Sequence, residues 1–290
     1  MTVMIIVPVE EQQKEWYLLW KPIIERCQEC ANANEIHLLQ VLSNNEGTFT
    51  WKTLKHLTEF TLNNAQSTSA IFSCISNKIK TNKDDQNEII QEMLAEIRVI
   101  PCLVIFGFKN LIYQRENSLD FIGSISNISK NIEVTYIRGP NFKTQTISTK
   151  LSQSGKTPIY ELKPKKLISK LKSIYQEKEE QVINHSKQNE SILFIVTNLL
   201  EGHQFWLENQ PYEGKHPIQA FVDSCSIPTI VLAPGLIPYI SNKLNHIFLL
   251  PFNRNKYIEI AYGIDAHKAE IKHKEIQKKL EKMLWDTANK

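Results

Sequence analysis

Apolar residues in this chain occur either in short continuous runs or at a spacing of three and four residues. The continuous runs are typical of strands buried on both faces, and they are VMIIVPV (3–9), EIHLLQVL (35–42), SAIFSCIS (69–76), CLVIFGF (102–108) and IEVTYI (132–137). The spaced positions predict helices over 14–31, 51–63, 87–98 and 119–129. Strands that alternate with helices in this way predict a complete doubly wound layer by about residue 140.

The second half shows the same two patterns with fewer strands. A polar segment over 141–157 is expected to be a linker or a long surface loop. A charged helix follows over 165–185, and a lysine-rich amphipathic helix over 257–284 closes the chain. Between these helices, three runs are typical of buried strands, namely ILFIVTN (192–198), TIVLAP (229–234) and HIFLLPF (246–252).

One stretch of the chain echoes another. The segment from Pro101 and the segment from Ser191 each hold an apolar run, a polar stretch, a lone glycine, a helix-like turn and a second apolar run. This self-similarity predicts one strand, helix, strand unit used twice. The expected fold class is therefore α/β, with two doubly wound, mainly parallel sheets in tandem, in domains over 1–142 and 143–290.

Composition excludes several classes of protein. Hydrophobic residues at 42% and charged residues at 22% are globular values. The net charge of +3 gives no reason to expect a nucleic-acid partner, and no apolar run is long enough to cross a bilayer. The N-terminus lacks the features of a signal peptide, and the five cysteines are an odd number that suits a reducing compartment. A cytoplasmic location follows as an expectation.

Three motifs that can carry chemistry have simpler structural explanations. The C-x-x-C at Cys27 and Cys30 lies in a helical pattern without a second pair, which favours a structural role over a metal or redox site. The SGKT at 154–157 lacks the first glycine of a phosphate-binding P-loop, because Lys150 occupies that position. The eight histidines show no zinc-binding spacing, so no metal is expected.

A ligand pocket in the second half is conceivable only around the loop between His203 and His216, which also holds Trp206, Glu208 and Tyr212. An ordinary loop is the simpler interpretation of that segment. Trp16 and Trp20, one helical turn apart, are expected to anchor a core or a dimer interface.

Taken together, IIVPVE, IHLLQV, CLVIFGF and IGSISNISKNIEVTYIR resemble the universal stress protein superfamily over most of residues 3–139. The family's nucleotide-binding branch holds ATP phosphates on a glycine-rich stretch at a helix start, where backbone N–H groups favour negative charge. The resemblance implies an adenine-nucleotide site made of Glu10, Val41, Gly107, Asn110, Gly123 and Ser124. Asn110 replaces the middle glycine of the family motif, and Glu10 replaces the usual aspartate.

The segment IIVPVEEQQKEW also resembles the cytosolic regulatory tails of bacterial relatives of cation-chloride cotransporters. Those α/β layers dimerise and act without nucleotide. Two functions are therefore expected as alternatives for a non-enzymatic cytosolic protein. One is a stress-type regulator that binds ATP as its only cofactor, and the other is a homodimeric protein-interaction or transporter-regulatory module. A hydrolase would need a base near Ser124, and the sequence names none.

Overall fold

The computed structural model describes residues 7–30, 51–81, 86–114, 119–137, 164–185, 190–197, 216–232, 238–245, 247–248 and 250–263. Across these ranges, no helix is both long and apolar enough to span a membrane. The predicted strand at 35–42 and the linker at 141–157 lie outside them. The predicted strand at 3–9 lies mostly outside them as well, and its described end is a 3-10 turn over Val9–Glu11.

Within the described ranges, four helices come before most of the strands. One two-residue strand lies between the second and the third of these helices. The four helices are α1 (Glu15–Cys30), α2 (Trp51–Asn64), α3 (Ser69–Thr81) and α4 (Gln86–Ile105). The predictions of α1, of α2 and of the first part of α4 are confirmed. Trp16 and Trp20 are buried on the apolar face of α1, and the Trp20 indole donates to Thr58 Oγ1 on α2 at 2.7 Å. The tryptophans are therefore core anchors.

The predicted strand at 69–76 is wrong, because that segment is helix α3. Ile71, Phe72 and Ile75 are buried while Ser73 is exposed, so the apolar side chains share one face of a helix. A short apolar run does not distinguish a strand from a buried helix by its pattern alone. The apolar surfaces next to this segment belong to neighbouring helices. A helical conformation therefore buries its apolar side chains.

The predicted strand at 102–108 is also wrong, because α4 continues through Pro101 to Ile105. Its last two turns are apolar on all sides, as expected for a helix packed within the core. The helix ends at Gly107, whose φ is 95°. Phe108 N–H donates to Leu103 O and Gly107 N–H donates to Val104 O, the hydrogen-bond pair of a Schellman motif.

In the part of the chain that the structure describes, the sheet has seven strands, which lie side by side in chain order. They are β1 (Ala65–Gln66), β2 (Lys109–Tyr113), β3 (Phe121–Ile125), β4 (Ile128–Ile137), β5 (Ser191–Thr197), β6 (Thr229–Leu232) and β7 (Tyr239–Ile240). The pairs β1–β2, β4–β5 and β5–β6 are parallel, whereas β2–β3, β3–β4 and β6–β7 are antiparallel. The sheet is therefore mixed.

The predicted helix at 119–129 is wrong, because this segment forms β3, a tight turn and the start of β4. The turn residues Ser126 and Asn127 have φ values of 50° and 63°. Positive φ at both central positions is the requirement of a type I′ hairpin turn, and it matches the twist of the strands on either side.

In the second half of the chain, the structure agrees better with the predictions from the sequence pattern. Helix α5 (Pro164–His185), strands β5 and β6, and helix α6 (Pro217–Ser224) between those two strands confirm a parallel strand, helix, strand unit. The described residues of 246–252 form no strand, which corrects that prediction. The final described helix, α7, covers Arg254–Tyr262 and ends at Gly263 with φ 60°.

Helices cover both faces of the sheet. The larger core packs α1–α4 and α7 against one face, and a smaller core packs α5 and α6 against the other. Side chains of β5 alternate between them, with Phe194 in the first core and Leu193 and Ile195 in the second. A strand buried on both faces explains the continuous apolar run that predicted it.

The α/β class is confirmed, but the two tandem, doubly wound sheets are not. Strands from both sides of the predicted boundary at residue 142 pair in one sheet, since β4 and β5 are parallel over seven residue pairs. The two echoing segments also fold differently. The first is the end of a helix followed by an antiparallel meander, and the second is a parallel strand, helix, strand unit.

Candidate functional site

Two acidic residues face each other across the β3–β4 hairpin. The strands pair Phe121 with Ile132, and continuing this register by one residue places Asp120 opposite Glu133. The side chains of directly opposed residues share a face of the sheet. Phe121 and Ile132 face the larger core, so Glu133 faces the side covered by α5, and Asp120 lies close enough for the negative charge of Glu133 to act on it.

Glu133 is buried, with only 3% of its side chain exposed. Its Oε1 accepts a hydrogen bond from Lys178 Nζ on α5 at 2.7 Å. Its Oε2 is also buried, and among the described residues it has no hydrogen-bond partner. Burial raises the pKa of Glu133, and the contact with Lys178 opposes that rise. Burial of a carboxylate oxygen is costly unless a hydrogen-bond donor, a water molecule or a cation contacts it.

Asp120 is half-buried and accepts a hydrogen bond from the Val134 N–H at 2.7 Å. Burial, followed by the negative charge of Glu133, raises the pKa of Asp120 to about 7. The hydrogen bond from Val134 and the positive charge of Lys178 act in the opposite direction. Two carboxylates in one low-dielectric site resist simultaneous ionisation unless a cation joins them.

Glu96 on α4 belongs to the same electrostatic environment. Burial and the negative charge of Asp120 raise its pKa well above the ordinary value, and Lys78 on α3 lowers it. In the part of the chain with described side chains, however, no three His, Cys, Asp or Glu residues are close enough to hold a metal ion together. The hairpin therefore offers a pair of carboxylates, and any bound cation would take its other ligands from water or from a substrate.

The glycine positions predicted for ATP phosphates do not lie at a helix start. Gly107 terminates α4, and Gly123 lies in the middle of β3. A Cβ on Gly123 would come within 2.6 Å of Leu111 Cδ2, so this glycine is explained by packing. Ser124 follows Gly123 in the same strand.

Asn110 and Ser124 are brought together by the pairing of β2 with β3. Asn110 Nδ2 lies 3.4 Å from Ser124 Oγ, which donates to Lys109 O at 3.2 Å. Glu10 is exposed in the first 3-10 turn, and Val41 lies outside the described residues. The structure therefore joins two of the six predicted positions, and their binding of nucleotide stays a prediction.

Other predicted positions have structural roles where they are described. His216 caps α6 by accepting from Ile218 N–H, and its ring stacks on Tyr239 with centroids 4.6 Å apart. Burial lowers the pKa of His216. The rest of its predicted cluster, over 203–212, lies outside the described residues. The side chains of Cys27 and Cys30 are also outside the described set.

Sequence reasoning missed Asp120, Glu133 and Lys178 as a group. The available signal was the dipeptide Ser126–Asn127 between FIGSI and ISKNIEV, two runs of alternating character. Recognised as a two-residue hairpin, that pattern puts Asp120 opposite Glu133. The hairpin pattern does not indicate Lys178, because the contact of Lys178 with Glu133 depends on how α5 packs on the sheet.

No protein-family model, curated protein or solved structure matches this chain. The geometry of the hairpin site is therefore the basis for inferring a function.

Proposed function

We propose that this protein is a divalent-cation-dependent phosphodiesterase that acts on nucleic-acid strands through the Asp120–Glu133 carboxylate pair. One observation carries the proposal, namely the buried Glu133 carboxylate, which has Lys178 on one oxygen and, in the described part of the chain, no partner on the other. A hard cation such as Mg²⁺ prefers carboxylate oxygens and is commonly held by one or two of them together with water and substrate phosphate. The pair fits that coordination.

The charges of the site suit a phosphate ester. A cation between Asp120 and Glu133 would polarise a phosphate oxygen and lower the pKa of a bound water. Lys178, on the other side of Glu133, would stabilise negative charge that develops in the transition state. In the net reaction the water oxygen forms a new bond to phosphorus and the bond to the leaving alkoxide breaks. The water proton ends on that alkoxide, so the products are a phosphomonoester and an alcohol.

The choice of a polyanion rests on helix α5, which carries Lys178. Its sequence begins PKKLISKLK, which places several lysines on the turns before that residue. Phosphates at regular spacing along a strand are suited to a basic segment that leads to the reacting centre. This departs from the expectation drawn from net charge, because the first turns of α5 carry lysines and no acidic residue.

The test measures cation binding and hydrolysis separately. We expect Mn²⁺ to bind the wild-type protein in calorimetry, and single- or double-stranded DNA or RNA to be cleaved in the presence of Mg²⁺ or Mn²⁺. The E133Q variant keeps the shape of the side chain and removes its charge, so it should weaken Mn²⁺ binding at least tenfold and reduce cleavage about 100-fold or more. The matched control is E259Q, at an exposed glutamate of α7.

A wild-type protein that binds no Mn²⁺ at millimolar concentration, or cleavage unchanged in E133Q, would contradict the proposal. A failure to bind Mn²⁺ would favour the non-enzymatic alternatives, namely an adenine-nucleotide regulator or a homodimeric interaction module. A thermal shift with MgATP beyond that with Mg²⁺ alone would support the nucleotide alternative. The contact between Asn110 and Ser124 is the observation in its favour.

A further inference from the structure

Within the described residues, the ammonium group of Lys178 has two acceptors, and only one of them is acidic. Nζ donates to Glu133 Oε1 at 2.7 Å and to Gln181 Oε1 at 2.9 Å. A lysine side chain has four rotatable bonds and loses much conformational entropy when its end is fixed. Two acceptors define the direction of the ammonium group far better than one does.

Gln181 lies three residues after Lys178 on α5, so the two side chains emerge from the same face of that helix. Its amide oxygen is neutral. It therefore orients the ammonium group without cancelling the positive charge, which a second carboxylate would do. Gln181 is half-buried, a position in which a hydrogen bond to a charged donor is stronger than one made in open solvent.

We infer that Gln181 is the positioning residue of the site and holds Lys178 against Glu133, where its charge faces the substrate phosphate. This inference rests on the proposed function for its effect on rate. The geometric part, that Gln181 fixes the Lys178 ammonium group, is independent of that function. The two parts call for separate measurements.

The kinetic test compares Q181M with Q181E. Methionine has a similar length and no oxygen acceptor, whereas glutamate keeps an acceptor at the same place. We expect Q181M to lower kcat for the cleaved nucleic acid about tenfold, with little change in KM, which corresponds to about 1.4 kcal/mol of lost transition-state stabilisation. We expect Q181E to restore little of that loss, because its carboxylate cancels the positive charge that the neutral amide of Gln181 leaves in place. In a K178M background, Q181M should cause no further loss, because it acts through Lys178.

The second test needs no activity. In protein labelled with ¹⁵N-lysine and free of divalent cations, a held ammonium group exchanges its protons slowly with water and gives its own resonance. K178M assigns that resonance in the wild type. It should disappear in Q181M and persist in Q181E. Circular dichroism and the melting temperature verify that each variant is folded.

The inference is overturned if the Lys178 resonance survives in Q181M, or if Q181M slows cleavage equally with and without Lys178. A wild type that cleaves nothing but shows the resonance, and loses it in Q181M, would count against the proposed phosphodiesterase and leave the positioning role of Gln181 supported.

Discussion

Placing Asp120 and Glu133 close together in a buried position is unfavourable for the stability of the fold. Each is at least half-buried, and burial raises the pKa of both. A fold selected only for stability does better with apolar or singly charged side chains at such a pair of positions. The cost is understandable if the pair performs a task that needs two carboxylates, such as holding a cation.

This cost makes a pH-dependent prediction. The pKa of Asp120 is raised to about 7 in the folded protein, above its ordinary value near 4. The folded state therefore binds a proton at Asp120 more tightly than the unfolded state does. The stability that this proton contributes is lost as pH rises from about 4 to 7. We expect D120N to raise the melting temperature at pH 8 without divalent cations, by about 2–4 °C for each kcal/mol relieved. Differential scanning calorimetry measures it.

An asparagine at position 120 keeps an oxygen that can accept from Val134 N–H, so this hydrogen bond need not be lost. At pH 4 the advantage of D120N should vanish, because the native carboxyl is then protonated. If D120N has the same melting temperature as the wild type at pH 8, or a lower one, the raised pKa of Asp120 is wrong.

Helix α4 shows how one glycine ends an element. Its last turns are as apolar as a buried strand, and nothing in the run 102–106 stops a helix. Gly107, with φ 95°, makes the Schellman hydrogen bonds that turn the chain into β2. The same glycine was interpreted from the sequence as a phosphate-binding position, because a glycine after an apolar run is typical of both situations.

Replacement of Gly107 tests this role. An alanine at positive φ brings Cβ too close to the backbone, so G107A should lower the free energy of unfolding by about 1–2 kcal/mol. G107N should lower it less, because asparagine tolerates positive φ better than alanine. Urea denaturation followed by tryptophan fluorescence measures both variants. Equal stability of G107A and the wild type would show that the turn does not depend on glycine.

The molecule as a whole is organised around the central pair β4–β5. The larger core contains Ile132 and Val134 from the predicted first half, and Ile192, Phe194 and Val196 from the second. These side chains share one apolar layer. Separating the halves would expose it along the full seven-residue pairing of the two strands.

We therefore expect the fragments 1–142 and 143–290 to fail to fold when each is produced alone. The circular dichroism signal of each fragment should change on heating without a cooperative transition, whereas the full chain should unfold cooperatively. Mixing the fragments should restore part of the native signal. A cooperative transition in either fragment by itself would instead support the two domains predicted from the sequence.

The sequence was sufficient wherever local periodicity and local packing agree. The helices α1, α2 and α5 show a single apolar stripe, and the strands β5 and β6, with α6 between them, show the uninterrupted apolar runs of parallel strands. Each of these features is encoded in one continuous segment of the sequence. The same holds for the general class, because alternating helices and strands predict α/β packing whatever their order.

The neighbours of each short apolar run decided the rest. Residues 69–76 and 102–105 are helical because helices surround them, and 121–125 is a strand because β2 and β4 lie on either side of it. A run of five to eight apolar residues satisfies either conformation locally, so its state depends on which layer buries it. The candidate site depends on this layer as well, since Asp120, Glu133 and Lys178 come together only through the hairpin register and the packing of α5.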